Sequence, residues 1–246
     1  MSDQSADLPS GPACALPELV PPDPWQPAVL HAAADFVVAY KPPNLSFHRE
    51  RDTPGLVERI RELYGAPLWP VHRLDAITSG LIVLATSNDA ASAFGERFAA
   101  REMDKVYLAL SDRKPAKKQG MISGGMAAGR GGNWRLTRED ALFAKTRFVS
   151  ASVSPGLRLY ALKPYTGRTH QLRVAMKSIS APIVGDTRYG GSEADRGYLH
   201  ATLLAFDWID GAHAFYCPPC AGSLFVTDAC RIAQASLGNL QTVWSG

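Results

Sequence analysis

Asp75 stands in the segment VHRLDAITSGLIVLA, just ahead of a turn built from Thr78, Ser79 and Gly80. The apolar run LIVLA that follows reads as a buried strand, so the carboxylate is set at the mouth of a sheet, where a substrate can reach it. An aspartate in such a turn can equally bond its own loop backbone, and this stretch alone leaves both readings open. Glycoside hydrolysis would need a second carboxylate in a comparable setting, and the sequence offers none. Further along, Arg168, Thr169 and His170 occupy a loop before a helix N-terminus, a natural place to hold phosphate, or else an ordinary solvated loop. His72 and His200 have the side chain of an acid–base catalyst but read as structural. Asp186, in VGDTRYG, reads as a turn residue.

These side chains need a scaffold, and the hydrophobic pattern outlines one. Leu30 to Tyr40 reads as a strand stopped by Lys41-Pro42-Pro43. Thr53 and Pro54 suit the N-cap and first position of a helix carrying Leu56, Ile60 and Leu63 on one face, ended by Gly65. Ser87 or Asn88 caps a second helix that packs Phe94 and Phe98 and ends near Arg101. Strands follow at 105–110, 143–149 and 157–163, with a basic and glycine-rich loop over 111–133 between the first two. A helix after Gly167 turns Leu172, Ala175, Met176 and Ile179 to one side. YLHATLLAF and a last strand pair around Ala214 to Tyr216 close the chain. Many strands mixed irregularly with few helices indicate an α+β fold: a mixed, largely antiparallel central sheet with flanking helices. Residues 1–27, rich in proline and poor in large apolar side chains, read as a disordered or wrapped extension, and residues 28–246 as one catalytic domain.

Composition bounds the function. The 246 residues are 46% hydrophobic and 20% charged, with a formal net charge of +3, which suits a soluble globular protein and permits nucleic acid without requiring it. No apolar run is long enough to span a bilayer, and MSDQSADLPSG lacks the pattern of a secretory signal, so a cytoplasmic location without membrane contact is expected. The four cysteines are too few for a disulfide framework. Cys217-Pro-Pro-Cys220 is a lone pair without the further ligands a zinc site needs, and it reads as an extended turn. No metal is expected. No heptad pattern indicates assembly through helices, and no obligatory protein partner is evident.

The segment HRLDAITSGLIVLA resembles the catalytic motif of the RluA-type RNA pseudouridine synthases, and further segments agree in order. Lys41-Pro42 with His48 is similar to an upstream element of that family. KVYLAL at 105–110 resembles the strand that carries its tyrosine, and GRTHQLRV at 167–174 the motif that supplies its arginine. PIVGDTRYGG and LHATLLAF match two later elements, so the resemblance runs from about residue 35 to residue 226. It implies isomerisation of specific uridines in ribosomal or transfer RNA without any cofactor. Asp75 would be the essential aspartate, acting on the target nucleotide as nucleophile or base. Tyr107 would pack on the everted base and help remove the C5 proton, and Arg173 would pair with the aspartate. A guanidinium beside a partly buried carboxylate favours its ionised form.

Since the reaction neither oxidises nor hydrolyses overall, it calls for no nucleotide-binding loop and no metal cluster. Arg73, next to the aspartate motif, becomes a candidate for contacting phosphate or filling the space the base vacates, and with Arg168, Thr169 and His170 makes up the expected RNA contacts. The alternative is a non-catalytic RNA-binding protein on the same fold; the retained trio Asp75, Tyr107 and Arg173 favours the enzyme. The sequence departs from the family pattern at Ala175, Asn44 and Cys217-Pro218, where a histidine, a glycine and Ala-Pro are common. The Pro-rich segment is too short for the N-terminal RNA-binding domain often found in the family, which points recognition toward the catalytic domain and a compact RNA element.

Overall fold

The computed structural model describes residues 16–138, 142–238 and 240. In chain order the strands and helices are β1 (Ala28–Ala32), β2 (Phe36–Lys41), α1 (Leu56–Tyr64), β3 (Trp69–Pro70), β4 (Thr78–Ala85), α2 (Asn88–Ala100), β5 (Asp104–Ser111), β6 (Gly120–Ala128), β7 (Trp134–Thr137), β8 (Ala144–Ser154), β9 (Leu157–Pro164), α3 (Gln171–Ser178), β10 (Leu199–Trp208), β11 (Gly211–Tyr216) and α4 (Asp228–Ser236). The strands form one sheet in the order β1-β2-β4-β10-β5-β9-β8-β6-β7, with β11 added to β10 and β3 to β4. This is the mixed, largely antiparallel α+β arrangement that the strand-rich pattern indicates.

Among the described strands one pairing is parallel, and it builds the functional region. β10 enters between β4 and β5, with Leu199, His200 and Ala201 opposite Thr78, Ser79 and Gly80. On its other edge Ala201 registers with Tyr107. Gly80, Ala201 and Tyr107 therefore lie on one rung of three neighbouring strands. Gly80 has φ +110°, and a Cβ there would come 2.2 Å from the Ala201 carbonyl oxygen, so only glycine permits this approach.

The central strands are buried on both faces. Phe36, Val38 and Tyr40 of β2 pack with Val83, Phe94 and Phe206, while the alternate residues Val37 and Ala39 pack with Leu56, Ile60 and Leu84. On the other half of the sheet Leu108, Leu159, Ala161 and Phe148 form a core with Leu172 and Met176 of α3 and Cys230 of α4.

Several local expectations are corrected. The segment read as one strand from Leu30 to Tyr40 is a hairpin, in which Ala33 N–H donates to the Phe36 carbonyl as the chain turns. The N-cap of α1 is Gly55, not Thr53: Thr53 is tied to Glu50 by two backbone hydrogen bonds, and Glu58 reaches back to the Gly55 amide at 2.7 Å. The stretch read as a glycine-rich loop holds β6, whose pairing with β8 and burial of Ile122 and Met126 outweigh the poor strand preference of its glycines. Helix α2 is capped by Ser87 Oγ, which accepts from the Ala90 amide. Of the Pro-rich segment, residues 1–15 lie outside the described residues. The remainder runs beside the fold, with Leu19 N–H donating to Tyr216 O and Tyr40 Oη to Pro24 O.

Candidate active site

The loop that carries Asp75 is tied down from both sides. Thr78 N–H donates to the Asp75 carbonyl at 3.0 Å. The buried Lys41 Nζ, at the end of β2, donates to the carbonyls of Ala76 (2.8 Å), Thr78 (2.7 Å) and Pro42 (3.0 Å). Burial, reinforced by the Arg196 charge, pushes the Lys41 ammonium down to about 7, with Asp75 pulling the other way. Lys41 thus staples the start of β4, a role the sequence showed only as part of a motif.

The Asp75 side chain remains 19% exposed, and its two oxygens face different groups. Arg173 Nη1 is 3.5 Å from Oδ2, and His170 Nε2 is 4.0 Å from Oδ1. Arg173 enters from the first turn of α3, is 7% exposed, and gives its fork to Asp186: Nε to Oδ2 at 2.8 Å and Nη2 to Oδ1 at 2.7 Å. Burial works against its charge, but the Asp186 carboxylate more than compensates and holds the guanidinium pKa above its ordinary value. Its plane also lies over the Tyr189 ring, 4.8 Å from the centroid.

Tyr189 orients His170. Trp134 N–H donates to Tyr189 Oη at 2.9 Å, which leaves the phenol proton to point at His170 Nδ1, 2.8 Å away. The neutral imidazole then carries its own proton on Nε2, the nitrogen turned toward Asp75. Burial, chiefly, keeps the His170 pKa below its ordinary value. His170 sits at the N-cap of α3 with φ +56°, so the chain bends there in the left-handed region to bring the ring over the carboxylate.

Asp75 and Tyr107 line one cavity of about 520 Å³, together with Arg73, Arg168, Thr169 and His170. All four expected RNA-contact residues therefore meet at the same opening. Arg173 does not line it; the guanidinium stands behind Asp75 on the buried side. Tyr107 comes from the middle rung described above, and burial followed by the Asp75 charge pushes its phenol pKa up, so it faces the cavity protonated. Tyr165, Phe98 and Leu199 give the cavity apolar wall.

His200 is buried within the fold, whereas His72 stands on the wall of the Asp75 cavity. His72 Nε2 accepts from the Val83 amide at 3.0 Å; His200 bridges Ser79 Oγ (2.7 Å) and the Cys217 carbonyl (3.0 Å). Asp186 does more than shape a turn: although it accepts from backbone amides at Tyr189 and Gly191, its carboxylate anchors Arg173. Sequence reasoning missed that anchor and Tyr189, both contained in the recognised segment PIVGDTRYGG. Among the described residues no cluster of three or more His, Cys, Asp or Glu is placed to hold a metal, and no helix is long and apolar enough to cross a membrane.

Comparison with known proteins follows the same lines. The RNA pseudouridylate synthase family matches residues 35–178. An uncharacterized RNA pseudouridine synthase of Haemophilus influenzae is 44% identical over 201 residues, covering 80% of this chain and 90% of that protein. The dual-specificity RNA pseudouridine synthase RluA of Vibrio parahaemolyticus is 33% identical over 209 residues, covering 76% and 79%. In fold, the human RNA pseudouridylate synthase domain containing 1 aligns with a TM-score of 0.68 at 23% identity, over 89% of this chain and 98% of that one. The chain belongs to the RNA pseudouridylate synthase family, of the RluA type, and is an RNA pseudouridine synthase.

Proposed function

We propose that the cavity receives a uridine everted from ribosomal or transfer RNA and that Asp75 is the residue acting on it. The observation that carries this reading is a carboxylate with its face open to a cavity of about 520 Å³, a guanidinium fixed behind it and a protonated phenol on the same wall. Arg73, Arg101, Lys105, Lys163 and Arg168 also line that cavity, and such a cationic rim favours a phosphate backbone. Eversion costs a few kcal/mol, least where the base is already poorly stacked, which favours loops and distorted helices as substrates.

In the reaction Asp75 uses a carboxylate lone pair on the ribose, bonding to C1′ or taking a neighbouring ribose proton. The N1–C1′ bond breaks, the uracil turns within the cavity, and C5 closes onto C1′ as the Asp75–C1′ bond breaks or Asp75 returns the ribose proton. The C5 proton is then lost and N1 keeps the proton it gains, so the base leaves with unchanged composition. Tyr107 packs against the ring and, as a protonated phenol, passes a proton through its hydroxyl without first ionising in solution. Arg173 and His170 address opposite oxygens of Asp75 and hold its orientation.

The test uses ribosomal and transfer RNA from cells lacking the gene, labelled with tritium at uridine C5. The wild-type enzyme releases tritium to water, and Asp75→Asn releases none above the blank while keeping its circular dichroism spectrum and most of its RNA affinity. Release by the variant at the wild-type rate would falsify the assignment of Asp75. Carbodiimide mapping of the same RNA identifies the modified uridine.

A further inference from the structure

A second group of reactive side chains lies away from the Asp75 cavity, where β11 gives way to the segment before α4. Cys217 directly follows β11 and is wholly buried. Its backbone is locked: its N–H donates to Thr202 O at 2.8 Å, and its carbonyl accepts from His200 Nε2 at 3.0 Å and Thr202 Oγ1 at 2.8 Å. Cys220, three residues on, is partly exposed and lines a cavity of about 710 Å³ with Glu18, Tyr216 and Gln234.

Cys217 Sγ–H donates to the Pro218 carbonyl at 3.6 Å, and the two thiols lie close enough to act on each other's ionisation. Cys220 Sγ also lies 3.6 Å from Tyr40 Oη, and the Arg196 guanidinium adds positive charge nearby. The inner sulfur is fixed, the outer one faces an opening, and two prolines between them restrict φ. Little chain freedom is left to lose when the sulfurs join, since only two residues, both proline, separate the thiols.

We infer that Cys217 and Cys220 form a redox-active dithiol that a hydroperoxide converts to a disulfide, Cys220 attacking first and Cys217 resolving. The Cys220 thiolate attacks one peroxide oxygen and the O–O bond breaks, giving a Cys220 sulfenic acid and hydroxide, which takes a proton to become water. Cys217 sulfur then attacks Cys220 sulfur; the S–O bond breaks, and the departing oxygen leaves as water with the Cys217 proton. The two thiols lose two electrons and hydrogen peroxide gains them, ending as two waters. The electrostatics agree with this division of labour. The neighbouring Cys217 thiol, then Tyr40 and the Arg196 charge, lower the Cys220 pKa against the effect of burial, while the Cys220 thiol and burial raise that of Cys217. A dithiol of this kind in a reducing compartment is transient and sensing, not a structural staple.

The test treats the purified full-length protein with one equivalent of hydrogen peroxide, blocks free thiols with N-ethylmaleimide and digests with Asp-N. The peptide from Asp210 to Thr227 contains Cys217 and Cys220 and no other cysteine. It is expected to lose about 2 Da and take up no maleimide, with dithiothreitol restoring two adducts. Cys217→Ala should leave a sulfenic acid on Cys220 that dimedone traps, and Cys220→Ser should leave Cys217 unoxidised. If Cys217→Ala does not fold, the wild-type peptide and Cys220→Ser still decide. Both cysteines untouched by peroxide, Cys220 passing to sulfinic acid beside a free Cys217, or a disulfide only between two molecules would each overturn the inference.

Discussion

Arg173 is held more closely by Asp186 than by Asp75, with contacts of 2.8 and 2.7 Å against one of 3.5 Å. The guanidinium fork is already satisfied by Asp186, so its remaining nitrogen is held in place whatever Asp75 does. A partner held only by Asp75 would be free to follow it.

Asp186→Asn keeps the size of this anchor and removes its charge. With Asp75 correctly made but poorly positioned, kcat should fall about 10- to 100-fold while KM for RNA changes little. Steady-state tritium release measures both constants. Asp186→Ala, which leaves Arg173 buried without its anchor, should also lose about 3–5 kcal/mol of stability in urea unfolding. A wild-type kcat in Asp186→Asn would show that Arg173 needs no anchor.

Tyr107→Phe retains the ring and removes only the hydroxyl. If the phenol participates in removing the C5 proton, turnover drops by about 10²-fold and RNA affinity by much less. Because burial and Asp75 keep the phenol protonated, the wild-type pH profile should show no tyrosine ionisation near neutrality. Single-turnover rates and filter binding separate the two effects; an unchanged rate confines Tyr107 to packing.

His200 predicts an acid weakness. Burial, then the Arg196 charge, holds its folded pKa at about 3, well below the unfolded value, so unfolding takes up a proton below about pH 6.5. Its contribution is complete above that pH and is lost as pH falls from about 6.5 toward about 3, because the unfolded chain binds more protons throughout that window. Between pH 7 and pH 5 the wild-type protein should lose about 2 kcal/mol more than His200→Gln, whose amide still offers one acceptor and one donor. Urea unfolding at the two pH values measures this difference; equal losses would mean that His200 is not held neutral.

The sequence displayed the chemistry better than the scaffold. Asp75, Tyr107 and the loop of Arg168, Thr169 and His170 occur in contiguous motifs, and the structure puts them on one cavity. What stayed hidden depends on contacts between distant positions. The anchoring of Arg173 by Asp186, and of His170 by Trp134 through Tyr189, joins separate elements, and no local pattern reports it. β6 was unreadable because glycine weakens the strand signal, and only pairing to β8 makes it a strand. Thr53 has the side chain of a cap, but the turn pairing it with Glu50 takes its backbone away from α1.

The insertion of β10 between β4 and β5 also orders assembly in time. During synthesis from the N-terminus, β4, which follows Asp75, ends 114 residues before β10 begins, and β5, which bears Tyr107, ends 88 residues before it. A nascent chain that has reached only residue 190 lacks that wedge, and its β4 and β5 have no common register. Competence therefore waits for β10, and a chain truncated before Leu199 should be inert.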